Sequence, residues 1–162
     1  MTTPAERQVA VVRAWVASAE DDRRAITALQ AAPGTIRSTV FHAQQAVEKL
    51  LKALLISHGV EPEDSHVIGQ LVAQLHRLDR STADSLGPVD RLTLHAVTTR
   101  YPPRPGRAPR SMADAQLQAD VAVATTASDT LSQVIAQRLL VLEAQIKADA
   151  EKRAPQNKPP IR

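Results

Sequence analysis

The stretch from Val40 to Leu54 restricts the fold more than any other part of the chain. Stepped at ~100° per residue, it gathers Val40, Ala43, Val47, Leu50, Leu51 and Leu54 on one broad apolar face. The opposite arc holds His42, Gln45, Glu48, Lys49 and Lys52, with Phe41 and Ile56 among them. Such a run is a helix, from about Arg37 to His58, that needs apolar partners along most of its length, and Gly59 supplies its stop. Those partners must come from the rest of a 162-residue chain, a length suited to one domain with a real core.

The other periodic segments are also helical. A first helix is expected from about Ala5 to Gln30, ended by the Pro33-Gly34 pair, with Val9, Val12, Val16, Ala19 and Ile26 in its stripe and Trp15 and Leu29 at the edge. Asp22 falls inside that stripe, so it needs a cationic or hydrogen-bonding partner. A third helix follows Asp64 or Ser65 as cap and carries Ile68, Leu71, Leu75 and Leu78; a fourth starts at Pro88 and runs through Leu92 and His95 until RYPPRPGRAP breaks it. Ser111, with Asp114 three residues on, caps a last helix over about 112–153. The expected fold is all-α: an antiparallel up-and-down bundle of four to five helices over residues 1–135, with a long C-terminal helix. Residues 136–153 form a helical extension whose Leu139, Leu142 and Ile146 can pair with another chain or stand solvated, and the Pro-rich tail 154–162 is expected to be flexible.

Composition narrows the chemistry. With one Trp, one Tyr and one Phe, the core is built from Leu, Val, Ile and Ala, which favours packed helices over a sheet. The lack of cysteine removes disulfides, thiolate zinc sites and a Cys nucleophile. The five histidines form no metal-binding pair with a carboxylate at the usual spacing, and the five glycines form no phosphate loop, so no metal and no cofactor is expected. MTTPAERQ lacks an apolar signal core and no run approaches the roughly 18 residues of a membrane span, so a cytoplasmic protein is expected. The net charge of +3 is modest, but Arg100, Arg104, Arg107 and Arg110 make one acid-free basic loop.

The run FHAQQAVEKLLKA at 41–53, with Trp15 and Asp22 before it, His66 after it and Arg100-Tyr101-Pro102 later, resembles the HEPN family, helical domains associated with nucleotides. Within that family the chain looks like the small stand-alone prokaryotic members, and the resemblance covers about residues 5–135. It implies a polar groove along the second helix. There Lys49, Lys52 and Arg100 would meet phosphate oxygens, Gln45 a base or sugar edge and His66 the same ligand, while Tyr101 stacks and Asp22 and Glu48 orient the cations. It also implies a homodimer and a minimal nucleotidyltransferase as partner in a toxin–antitoxin-like pair, with this chain as the noncatalytic subunit and a nucleotide or RNA as its ligand.

Two other readings stay open. Many HEPN relatives are metal-independent ribonucleases with an Arg, four to six intervening residues and then a His, and here Arg37 and His42, with Ser38 to Phe41 between them, fit that spacing. They lie at the start of the second helix, whereas the family's motif usually lies later; Arg91 and His95 have only three residues between them. The third reading is a structural interaction domain, in which Glu48 with Lys52 is an ordinary i,i+4 pair and Asp22 with Arg100 an internal ion pair.

Overall fold

The computed structural model describes residues 2–98 and 112–153, and within them every regular element is helical. Helix α1, Pro4–Gln30, opens on a capping box: Thr3 Oγ1 accepts from the Glu6 amide, and the Glu6 carboxylate accepts from the Thr3 amide. The turn to α2, Ile36–Ser57, uses Gly34 at φ +77°. There the Thr35 hydroxyl donates to the carbonyls of Leu29 and Ala32, tying the end of α1 to the start of α2.

Fourteen of the 22 residues of α2 are buried, which makes it the central helix. All six residues of its expected apolar face are sealed, and Ala46, Ala53 and Leu55 join them because α1, α3, α5 and α6 surround it. Its last turn is completed from outside. Gln8 Nε2 donates to the Ile56 carbonyl at 2.7 Å, and Arg138 Nη2 donates to the Ser57 carbonyl at 2.9 Å, so α1 and α6 satisfy carbonyls that a helix end leaves open.

The return to the head of the bundle is broken into pieces: α3 (Ile68–His76), α4 (Arg80–Ser85), a 3-10 turn (Val89–Leu94) and α5 (His95–Thr98). Neither Asp64 nor Ser65 caps α3. Val67 holds the cap position with no side-chain bond, Ser65 Oγ accepts from the Val67 amide, and the Ile68 amide donates to Thr93 Oγ1 across the fold at 3.1 Å. Because α3 stops at His76, Leu78 leaves the stripe and is 42% exposed. Asp79 then caps α4, accepting from the Thr82 amide and hydroxyl. Pro88 precedes the 3-10 turn with ψ +51°, so the expected fourth helix begins only at His95.

Helix α6, Asp114–Arg153, antiparallel to α1, is tied to it by the ion pairs Arg23–Asp129 and Arg13–Glu143. Its buried positions, Leu117, Asp120, Val121, Ala124, Ala127, Ser128, Leu131 and Ile135, end at Ile135. Beyond that point Leu139, Leu142 and Ile146 are half-buried and Leu140 and Val141 exposed. The Ser111 cap, the basic loop and the 154–162 tail lie outside the described residues.

Candidate functional site

Asp22 is 6% exposed in the apolar stripe of α1, and the partners it needs come from α2. Its Oδ1 accepts from His42 Nδ1 at 2.8 Å and its Oδ2 from Lys49 Nζ at 2.6 Å. Lys49 donates as well to the Ser18 carbonyl, so its ammonium is held at two points on α1. His42 meets the ring of Phe41 edge-on and keeps about a third of its side chain open to solvent.

Glu48 repeats the arrangement. Its Oε1 accepts from Lys52 Nζ at 3.0 Å and from His66 Nδ1 at 2.9 Å, while Oε2 accepts from Gln44 Nε2 at 2.9 Å. Gln45 donates to Gln44, which extends the chain of bonds one residue further. The Lys52 ammonium also lies 5.5 Å from the centroid of the Trp15 ring, within cation–π range. Burial by itself would raise the Glu48 carboxyl; the hydrogen bonds from Gln44, Lys52 and His66, with the Lys52 charge, outweigh it and hold the group below its ordinary value.

A third carboxylate follows the same rule on another side of the core. Asp120 of α6 accepts from His95 Nε2 at 2.7 Å and from Gln116 at 2.9 Å, and pairs with Arg91 Nη2 at 2.8 Å. Each of the three acids thus holds one cation and one histidine. Solvent separates them: the side chains of His42 and His66 are 32% and 73% exposed, whereas that of His95 is sealed. The short Arg91–His95 spacing therefore sets a solvent-reaching arginine beside a sealed ring and leaves its histidine no surface to offer a ligand.

Of the residues singled out in the sequence, Asp22, His42, Gln45, Glu48, Lys49, Lys52 and His66 line one continuous side of α2 and its flanks. Arg37 is exposed in the first turn of α2, makes no hydrogen bond or ion pair among the described residues, and lies about 140° around the helix from His42. Arg100 and Tyr101 lie outside the described residues. Gln44, Gln116 and Asp120 went unnoticed in the sequence, although Asp120 stands among Leu117, Val121 and Ala124 just as Asp22 stands in its own stripe.

Chemically, two buried acids balance two lysines, leaving a neutral but strongly polar face whose outward groups are imidazoles and one partly open ammonium. Among the described residues no cluster of three His, Cys, Asp or Glu side chains could hold a metal ion, and no helix is long and apolar enough to cross a membrane. Neither a curated protein nor a solved structure matches the chain. The HEPN domain family does, over residues 12–128, from the first turns of α1 to the middle of α6. A match of that extent, taking in most of the helical core and all three carboxylate nodes, makes this chain a member of the HEPN domain family.

Proposed function

We propose that the chain is a noncatalytic, nucleotide-associated HEPN subunit working beside a nucleotidyltransferase in a toxin–antitoxin-like pair, and that the Lys49–Lys52 side of α2 receives the phosphates of the ligand. Membership of the family supports the nucleotide- or RNA-associated role. The observation that carries the site is Lys49: its side chain is 22% exposed, and bonds to Asp22 and the Ser18 carbonyl already fix its ammonium at the mouth of the face. A cation positioned before the ligand arrives loses less freedom on binding it. His66 and Gln45 continue the surface, Lys52 is held back from it with its side chain 9% exposed, and Arg100 and Tyr101 are assigned to it by the resemblance alone. The half-exposed apolar side of α6 beyond Ile135 suits a second copy of the chain, which would make the subunit a homodimer.

Calorimetric titration of the full chain with AMP, ADP, ATP and a short RNA tests this reading. Saturable binding is expected, weakened about 10–100-fold in Lys49→Ala, the range for one hydrogen bond to a charged group. Binding that Lys49→Ala leaves unchanged would remove the site from this face.

A second reading, the metal-independent ribonuclease, draws on His42, whose Nδ1 is held by a buried carboxylate in the manner of an oriented general base. Its partner Arg37 projects from a different side of α2. RNA loss in excess chelator that disappears in both His42→Ala and Arg37→Ala would establish this reading over the first.

A further inference from the structure

A carboxylate can only accept, so the ring nitrogen that faces it must carry the proton. Nδ1 of His42 faces Asp22 and Nδ1 of His66 faces Glu48. In a neutral ring this leaves Nε2 as a bare lone pair, and neither Nε2 makes a hydrogen bond among the described residues. The face read above as a phosphate groove therefore turns two acceptors outward when its imidazoles are neutral. A phosphate oxygen meets only repulsion there, because donation from both nitrogens requires the imidazolium.

The charges around His42 supply the coupling. Among the described residues the charged groups that face it are Asp22 from α1 and, through the same carboxylate, Lys49 of α2. In the empty groove Lys49 neutralises Asp22. An anion at the mouth shares the Lys49 ammonium, leaves Asp22 less compensated, and so favours a positive ring on its other oxygen. We propose that this groove binds its phosphate-bearing ligand together with a proton, taken up on His42 Nε2. The inference rests on the reading of this face as the phosphate site. His66, facing Glu48 and through it Lys52, has the same tautomer but a much more open ring, and contributes less. By reciprocity the bound anion strengthens proton binding as much as the proton strengthens anion binding.

The test uses the full chain and ADP as probe. Imidazole nitrogen shifts of the native protein are followed by NMR from pH 6 to 9 with and without saturating ADP. The free ring should show the Nδ1–H tautomer at the alkaline end, and ADP should extend the doubly protonated form of His42 to higher pH. In parallel, calorimetry in two buffers of different ionisation enthalpy counts the protons taken up, and comparison with His42→Gln removes the contribution of ADP itself. The native chain should take up as much as one proton more than the variant somewhere in that range, with its affinity falling up to about tenfold per pH unit faster on the alkaline side. Asp22→Asn, whose amide can donate and so release the tautomer, should bind with a smaller proton count. A His42 titration unmoved by bound ADP, or equal proton counts in native and His42→Gln protein, overturns the proposal while leaving the groove in place. Failure of AMP, ADP, ATP and the short RNA alike to bind removes the phosphate groove and the proton linkage with it; if another of them binds where ADP does not, it replaces ADP as the probe and the same two outcomes decide.

Discussion

His95 Nε2 and Asp120 Oδ2 meet at 2.7 Å where neither side chain is more than 2% exposed. Arg91 and Gln116 share the other carboxylate oxygen, so one acid satisfies three donors from the 3-10 turn, α5 and α6. Asp120→Ala removes the acceptor from the sealed His95 Nε2, while Arg91, 36% exposed, and the exposed Gln116 can turn to water, and the expected cost is about 1–3 kcal/mol. In a chain of this size each kcal/mol lowers the melting temperature by roughly 2–4 °C. Thermal unfolding followed by circular dichroism measures it, and a loss below about 1 kcal/mol would mean that the node bears no stability.

Glu48 gives the protein an acid limb. Its folded carboxyl titrates below the ordinary 4.5, so between the two values the unfolded chain binds more protons and stability rises with pH. The contribution is present above about pH 4.5 and is lost as pH falls through the folded value. Denaturant unfolding between pH 6 and 3 should show native protein losing more stability than Glu48→Gln. Parallel curves would contradict the role assigned to its three hydrogen-bonding neighbours, Gln44, Lys52 and His66.

His58 acts in a higher window. Burial first, then the charge of Arg138, push its imidazole below the ordinary 6.5, with Asp79 opposing, and its Nε2 is buried without a hydrogen bond. The unfolded chain therefore takes up the proton first, and stability declines as pH drops below about 6.5. His58→Gln should remove this part of the decline when urea midpoints at pH 7.5 and 5.5 are compared. If the variant falls as steeply as the native chain, other groups govern that window.

Leu140 and Val141 separate packing within the chain from packing between chains. Both are more than half exposed, so Leu140→Glu with Val141→Glu should change the stability of a single chain by less than about 0.5 kcal/mol. In the homodimer proposed above the same pair of charges should yield monomers in sedimentation equilibrium. A native chain that sediments as a monomer overturns the homodimer, and a variant that remains dimeric removes Leu140 and Val141 from the contact and leaves it to the Leu139–Leu142–Ile146 stripe on another side of the helix.

How far the sequence reveals this molecule depends on how local each cause is. The α2 pattern was legible because its helical period does not depend on which helices surround it, and Asp22 was legible as an acid that needed a partner because its neighbours are apolar. Its actual partners, His42 and Lys49, are set by the way α1 crosses α2, and no spacing within either helix encodes that. Asp120 carried the same signal in α6 and was passed over. Helix α4 was missed because six residues are too few for periodicity, although Asp79 three residues before Thr82 has the form of a cap. The start of α3 is set by Thr93, 25 residues away, where local capping rules point to Asp64 or Ser65.

The end of α2 has a further consequence for how the chain can be assembled. Ser57 is bonded to Arg138, 81 residues later, and Ile56 to Gln8, 48 residues earlier. The innermost helix is therefore not a seed that finishes before its surroundings. Its last turn stays open to water until a residue near the start of the chain and one near the end have both arrived. A chain cut before Arg138 loses that closing bond together with the last stretch of α6, and the groove side of α2 then rests on a helix with an unfinished end.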